Sequence, residues 1–169
     1  TSAMLDLYFD PVSESLYTRI MRVGRDSSHA QYYAKIDMQT GEKTYKYLSF
    51  TYDGERIRVT GIAHVEGDLY YCIDNYNVVY SFRGMDPGEN ELTLIADPTP
   101  GNTSLNNIQP FYYDREEKCL WWVNPVSRVL VKIDPVTGET ETFGTFTICP
   151  TDLWIPDYDA SKDPGPHWY

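Results

Sequence analysis

The sequence has no helical periodicity and no long apolar run, and basic residues are scarce. Its 169 residues carry 14 Lys+Arg against 25 Asp+Glu, for a formal net charge of -11. Nucleic acids and anionic membrane surfaces bind clustered Lys and Arg, so this charge balance argues against both partners. Apolar runs such as residues 128–132 are far shorter than the roughly 20 residues of a membrane helix, so no membrane span is predicted.

A cysteine framework is also missing. Cys72, Cys119 and Cys149 form neither a CxxC pair nor an even set, which argues against disulfides that hold the fold together. Cys72 and Cys119 lie in apolar or aromatic runs and are predicted to be small buried hydrophobic residues.

What the sequence does have is the pattern of short strands and turns. Eleven Gly and eleven Pro interrupt segments in which Tyr, Val, Ile, Thr and Phe alternate with polar residues. We therefore predict one all-β domain over residues 1–169. The predicted strands are 5–9, 15–22, 31–37, 43–50, 57–64, 68–74, 78–82, 91–96, 108–114, 118–124, 128–134, 140–146 and, as a thirteenth, 152–155.

Two segments have the composition of hairpin turns. Residues 37–42 and 134–139 share the pattern Asp-x-x-Thr-Gly-Glu. An Asp side chain accepts hydrogen bonds from turn backbone, and Gly adopts the positive φ that such turns need. Both segments are predicted to connect antiparallel strands.

The chain contains an internal repeat. Residues 7–17 align without a gap to residues 111–121, and residues 61–70 repeat the pattern one residue shorter. The repeats cover approximately 4–50, 56–100 and 106–146, and residues 147–169 begin a further unit and a tail. Four strands in about 45–50 residues is the size of a β-propeller blade.

Particular residues resemble known propeller families. Residues 120–124, Leu-Trp-Trp-Val-Asn, with residues 128–134 resemble the second and third strands of YWTD-type or NHL-type blades. Residues 133–139 resemble turns of bacterial secreted propellers and virginiamycin-lyase-like repeats. The resemblance implies a propeller segment of about three four-stranded blades plus one strand, in a secreted or extracytoplasmic protein.

Three blades are too few for a closed ring, because propellers usually close with four to eight. Either the chain belongs to a longer propeller, or two copies or a second chain complete the ring. A short open barrel or sandwich is the other architecture compatible with the strands.

Three residues are candidates for catalysis. Asp10 and Asp114 recur at equivalent repeat positions, and His64 takes the place of that Asp in the middle repeat. A histidine beside a carboxylate could act as a general base in a secreted hydrolase or lyase. The alternative interpretation is structural, with each side chain bonding the backbone of the turn after the first strand of a repeat.

Asp157, Asp159 and Asp163 form a candidate metal site. Their spacing is similar to that of oxygen ligands in a calcium loop, but Lys162 stands where an EF-hand has Gly and Trp168 where it has Glu. A solvated acidic loop is the alternative, and no cofactor is needed to explain the fold.

The aromatic content is high, with 15 Tyr, 6 Phe and 4 Trp. Alternation within Tyr-Tyr and Trp-Trp pairs predicts that neighbouring rings pack on opposite faces of a sheet. Rings at strand ends and in loops are instead candidates for recognition, namely Tyr52, Tyr76, Trp154 and Trp168. The function predicted is a non-catalytic module that binds protein, peptide or glycan, with a propeller enzyme or a self-assembling partial ring as alternatives.

Overall fold

The computed structural model describes residues 2–10, 15–22, 31–85, 88–98 and 109–147. These residues are all-β, as predicted, and no helix occurs among them. The strands are β1 (Ser2–Asp10), β2 (Ser15–Arg22), β3 (Gln31–Asp37), β4 (Lys43–Tyr52), β5 (Glu55–Ile57), β6 (Val59–Glu66), β7 (Leu69–Asp74), β8 (Val79–Arg83), β9 (Gly88–Glu91), β10 (Thr93–Ala96), β11 (Phe111–Asp114), β12 (Cys119–Val123), β13 (Val129–Ile133) and β14 (Thr140–Thr145).

The strands form three sheets in chain order. Sheet 1 has the order β1-β2-β3-β4, sheet 2 has β6-β7-β8-β10, and sheet 3 has β11-β12-β13-β14. Within each group the neighbouring strands are antiparallel. Three successive four-stranded groups are thus present, and their assignment to a propeller family stays a prediction.

Two short strands, β5 and β9, were not predicted. Leu48 of β4 pairs with Gln31 of β3 and also with Gly88 of β9, so β3 and β9 lie on opposite edges of β4. Phe50 pairs with β5 and with β9, which places β5 on the same edge as β3. The parallel strand β9 therefore covers part of the outer edge of sheet 1, although it comes from the connection between two strands of sheet 2.

Sheet 2 is covered on both faces. Tyr70 and Cys72 of β7 belong to a core shared with sheet 1, where Phe50 and Phe82 meet edge to face at 5.2 Å between ring centroids. Ile73, on the opposite face of the same strand, belongs to a second core shared with sheet 3. This alternation confirms the prediction that adjacent residues of β7 pack on opposite sides.

Sheets 2 and 3 approach closely at their first strands. A Cβ atom added to Gly61 of β6 would lie 2.9 Å from the carbonyl oxygen of Gln109 and 2.9 Å from the Cβ of Phe111. The glycine lets the two backbones meet without a side chain between them.

A buried polar network links the same two sheets. The Gln109 amide nitrogen donates to Thr60 Oγ1 at 2.9 Å and to the Asp74 carbonyl at 2.7 Å. The Trp122 indole N–H donates to the Gln109 side-chain oxygen at 2.7 Å. Buried polar groups are costly unless paired, so these bonds fix the position of β11 and β12 against sheet 2.

The two predicted hairpin turns are confirmed. Asp37 Oδ1 accepts hydrogen bonds from the backbone N–H groups of Gln39 and Thr40, at 2.9 and 2.7 Å. Asp134 Oδ1 accepts from Val136 and Thr137 in the same way, at 2.7 and 3.1 Å. The glycines of both turns have positive φ, +72° for Gly41 and +75° for Gly138.

Cys72 and Cys119 are buried free thiols, as predicted, and Cys149 lies outside the described residues. In the part of the chain that the structure describes, no helix is long and apolar enough to cross a membrane.

Candidate functional site

His64 lies near the end of β6 and bridges two sheets. Its Nε2 lies 3.0 Å from the carbonyl oxygen of Gly67, and its Nδ1 lies 3.1 Å from the Arg115 guanidinium. A carbonyl only accepts, so Nε2 carries the proton and Nδ1 accepts from Arg115, which assigns the tautomer. Arg115 also donates to the His64 carbonyl at 3.3 Å, and the Tyr70 ring lies 5.1 Å from the imidazole. The bonds of His64 therefore join the β6–β7 turn to the β11–β12 turn.

Asp114 shapes a turn. Its Oδ1 accepts from the backbone N–H groups of Glu116 and Glu117, both at 3.0 Å. Asp10 and Asp114 each form the last cross-strand pair before a first hairpin, with Ser15 and Cys119 respectively. His64 pairs with Tyr70, and a register shift follows it, so the middle repeat has a different turn at this end. Sequence reasoning did not find Arg115, because the sequence carries no signal for a contact between residues 51 apart.

One set of metal-donor side chains occurs among the described residues, formed by Asp114, Glu117 and Cys119, whose ligand atoms all lie within 4.8 Å of one another. Burial raises the pKa of the Cys119 thiol to about 11, so the thiol stays protonated at neutral pH. Glu117 forms an ion pair with Lys132, and Asp114 is engaged by its turn. The donors already have partners, which does not favour a metal centre here.

Tyr52 and Tyr76 lie near a buried carboxylate. Asp74 is 3% exposed, and its Oδ1 accepts from the backbone N–H groups of Tyr76 and Val78 at 2.8 and 2.9 Å. The Tyr80 hydroxyl donates to Asp74 Oδ2 at 3.4 Å, and the Tyr52 ring lies 5.3 Å from the Tyr80 ring. Burial raises the pKa of Asp74. Burial, together with the nearby Asp74 charge, also raises the pKa of Tyr80. Tyr52 is half-buried against this group, whereas Tyr76 is 50% exposed.

The remaining candidates lie outside the described residues. They are the aromatic residues Trp154 and Trp168, the acidic residues Asp157, Asp159 and Asp163, and the predicted strand 152–155. Each stays a prediction from the sequence.

The most distinctive surface is one that sequence reasoning missed. Trp122 is fully buried against sheet 2, so its neighbour Trp121 lies on the opposite face of sheet 3. The Trp121 ring contacts the Phe143 ring at 5.3 Å, and Lys132 Nζ lies 5.5 Å from the Trp121 ring centroid. We define the outer face of sheet 3 by this contact group and its register neighbours: Tyr112, Trp121, Val123, Leu130, Lys132, Glu141 and Phe143.

This face is mainly apolar, with Lys132 and Glu141 as its charged pair, and it is partly accessible. Phe143 is 42% exposed, while Trp121 and Leu130 are half-buried and Val123 is fully buried. The Trp121 indole nitrogen is buried and has no hydrogen-bond partner among the described residues. The adjacent rings therefore differ in exposure, since Trp122 is fully buried and Trp121 is half-buried.

The register relates this face to a covered surface on sheet 2. Cys72 faces sheet 1 and Trp122 faces sheet 2, so each faces the preceding sheet. Their strand neighbours on the opposite face are therefore equivalent, with Trp121 matching Tyr71 and Val123 matching Ile73. In sheet 2 those positions pack against sheet 3, and the Tyr71 and Tyr113 rings lie 5.6 Å apart. The outer face of sheet 3 thus repeats a surface that sheet 2 uses to bind its neighbour.

Sheet 1 has a second face as well. Tyr17, Tyr33 and Leu48 belong to the core shared with sheet 2, so residues of opposite parity lie on the other side. The described side chains with that parity are both apolar and polar: Leu16, Thr18, Ala34, Ile36, Lys43, Tyr47, Ser49 and Thr51. Tyr47 is 38% exposed, whereas Thr18 and Ala34 are fully buried.

No family model, curated protein or solved structure matches this chain. The interpretation of its function therefore depends on the geometry described above.

Proposed function

We propose that the chain is a non-catalytic interaction module built on propeller blades, and that it binds a protein partner through the outer face of sheet 3. The observation that carries this proposal is Trp121. It occupies the position of Tyr71, which sheet 2 packs against a neighbouring sheet, and it contacts the exposed ring of Phe143. Partly exposed apolar rings on a sheet face are typical of a surface that receives a partner.

The shape of the surface favours protein over glycan. Trp121, Leu130 and Phe143 present mostly apolar atoms on a sheet, and sheets pack face to face at about 10 Å. Glycan recognition needs an exposed ring beside several free polar groups, as in ordinary ligand sites. Tyr76 offers an exposed ring, but the nearest carboxylate, Asp74, is buried and bonded to its own turn.

The hydrogen bonds of the candidate catalytic groups support a non-catalytic role. A general base needs a free nitrogen and an orienting partner. His64 uses one nitrogen for the Gly67 carbonyl and the other for the Arg115 guanidinium. Asp114 holds two backbone N–H groups of its turn.

Photocrosslinking from the surface tests the proposal. Phe143 is replaced by benzoylphenylalanine, and the protein is irradiated in an extract of its natural source. We expect one protein to be crosslinked reproducibly, because a specific face holds its partner within reach of the probe. The matched control places the same probe at Leu94, which is 46% exposed on the last strand of sheet 2.

Competition makes the result specific. An excess of unlabelled wild-type chain is expected to abolish the crosslink from position 143, and an excess of the Phe143→Glu variant is expected to leave it. The same products from positions 143 and 94, or equal competition by both chains, would contradict the proposed function.

A further inference from the structure

We propose that His64 makes the contact between sheets 2 and 3 sensitive to pH, because a proton on its Nδ1 breaks the bond to Arg115 and releases the β11–β12 turn from the β6–β7 turn. Histidine is the side chain that ordinarily changes charge between about pH 5 and 8, so the release is expected in mild acid. The inference concerns the contact between two sheets of one chain and does not depend on the proposed function.

The bond between His64 and Arg115 requires a neutral imidazole. Nε2 donates to the Gly67 carbonyl at 3.0 Å, and Nδ1 accepts from the Arg115 guanidinium at 3.1 Å. A guanidinium only donates hydrogen bonds, and it keeps its positive charge at every pH at which proteins fold. A proton on Nδ1 therefore removes the acceptor and sets two positively charged N–H groups against each other.

The same conflict reaches the second bond between the two turns. Arg115 also donates to the His64 carbonyl at 3.3 Å, and it uses the same guanidinium nitrogen for both bonds. The guanidinium therefore cannot move away from the protonated ring and keep the carbonyl bond in its present geometry. Both bonds from Arg115 to His64 are expected to break together.

Burial gives the added charge little water in the closed arrangement. His64 is 9% exposed, and the Tyr70 ring lies 5.1 Å from the imidazole. A buried charge without a partner is costly, whereas water stabilises it once the space around it opens. Separation of the two turns therefore becomes the favourable arrangement after protonation.

Other ionisable groups lie on the two hairpins that meet at His64. They are Glu66, Asp68 and Tyr70 on its own hairpin, and Tyr113, Asp114, Arg115, Glu116, Glu117 and Lys118 on the facing hairpin. Burial and the Glu66 charge raise the pKa of Tyr113, whereas the Arg115 charge lowers it, so both charges act at this end of the contact. Of these residue types, histidine alone ordinarily titrates between about pH 5 and 8.

A second contact holds the same sheets together four residues earlier on β6. There the Gln109 side chain donates to Thr60 Oγ1 at 2.9 Å and accepts from the Trp122 indole at 2.7 Å. Thr, Gln and Trp side chains carry no group that gains a proton in mild acid. Acid is therefore expected to open the His64 end of the contact and to leave the Gln109 end closed.

Urea unfolding of the whole chain between about pH 7.5 and 5.5 tests the inference, with His64→Gln as a polar reference that does not titrate. The unfolded chain takes a proton at His64 without losing a contact, whereas the folded chain must give up the Arg115 bond. The unfolding equilibrium constant of the wild type, divided by that of the reference, is expected to rise about fivefold to tenfold as the pH falls. A constant ratio would overturn the proposal.

Variants of Arg115, each compared with its own His64→Gln reference, identify the partner. A carboxylate in Arg115→Glu accepts from the protonated imidazole, so the ratio is expected to fall as the pH falls. Arg115→Gln removes the charge and is expected to weaken the pH dependence, which provides a second test if the Glu variant does not fold. The matched control Glu66→Gln is expected to keep the wild-type dependence. An unchanged dependence in Arg115→Gln would contradict the assigned role of Arg115.

NMR of the wild type shows whether the release is local. At about pH 7.5 the imidazole nitrogen shifts are expected to show a proton on Nε2 alone. On acidification, the backbone amide signals of Gly67 and Arg115 are expected to follow the titration of His64, and those of Thr60 and Gln109 to stay in place. A proton on Nδ1 at the higher pH, or equal movement of all four amide signals, would overturn the proposal.

Discussion

Several acidic side chains in this protein accept hydrogen bonds from the backbone of turns. Asp37, Asp114 and Asp134 each accept two backbone N–H bonds through one carboxylate oxygen, and Asn124 does the same through its amide oxygen. Asp74 makes the same kind of bonds with Tyr76 and Val78 and is the buried carboxylate among these residues. Burial opposes its charge, whereas backbone donors favour the charge of the exposed Asp134.

These opposite environments predict opposite pH dependences. The pKa of Asp74 is raised above the ordinary value of 3.8, so the folded chain holds this proton more tightly than the unfolded chain. Stability from this group is therefore largest below pH 3.8 and falls as the pH rises through the higher folded value. The Asp74→Asn variant lacks this pH-dependent loss. The difference in unfolding free energy, variant minus wild type, is therefore expected to increase as the pH rises, and urea titrations at several pH values measure it.

The Asp134→Asn variant is the control of opposite sign. The pKa of Asp134 is lowered from 3.8 by the N–H groups of Val136 and Thr137, so its contribution is present above pH 3.8 and is lost as the pH falls through the folded value. Its unfolding free energy relative to wild type is expected to decrease as the pH rises. The same slope for both variants would show that Asp74 is not penalised by burial.

At the residue level, the sequence predicted where a residue lies on its strand better than which residues it contacts. It placed Asp10, His64 and Asp114 at the ends of first strands, where the structure has them. It did not reveal the bond between His64 and Arg115, which depends on how two turns from different sheets meet. The role of Trp121 was missed for a similar reason, since alternation assigns a ring to a face but does not say whether another sheet covers it.

Hairpin turns are the elements in which sequence and structure agree most closely. Residues 37–42 and 134–139 share a pattern, and in both the glycine N–H donates to the Asp carbonyl, at 2.8 Å for Gly41 and 2.9 Å for Gly138. Their surroundings differ. A Cβ atom on Gly41 would meet nothing within 4 Å, but one on Gly138 would lie 2.9 Å from the carbonyl oxygen of Ile95 in sheet 2.

Alanine substitution in the two turns separates backbone strain from packing. Gly41→Ala is expected to lower the unfolding free energy by about 1 kcal/mol, the cost of a side chain at positive φ. Gly138→Ala is expected to cost about 1–3 kcal/mol more, because sheets 2 and 3 must also move apart. Denaturant unfolding of both variants measures the difference. Equal losses of unfolding free energy would mean that the Gly138 turn of sheet 3 does not contact sheet 2 closely enough to exclude a side chain.

The predicted strands were all found where the structure describes them, because alternation and turn residues are local signals. The exceptions are β5 and β9, which are short and rich in polar residues, such as Gly-Glu-Asn-Glu for β9. Nothing in such a segment identifies a strand. Its pairing depends on the edge of β4, which lies far away in sequence.

For the whole molecule, the net charge opposes contact between copies of the chain. Each chain carries a net charge of -11, so two copies repel each other at low ionic strength. We expect this repulsion to weaken between about 20 and 150 mM NaCl, where the screening length falls from about 20 to 8 Å. The second virial coefficient from light scattering measures the change and is expected to fall across this range. A coefficient that does not change with salt would mean that the net charge does not control the interaction between copies.

The position of β9 also bears on the order in which the protein can be completed during synthesis. The outer edge of β4 at Leu48–Thr51 gains its partner only when residues 88–91 have left the ribosome, by which time β6, β7 and β8 already exist. Until then the nascent chain presents open backbone donors and acceptors along a strand that contains Leu48 and Phe50, a feature that promotes aggregation. Sheet 1 is therefore the first sheet to be synthesised but cannot be finished before most of sheet 2.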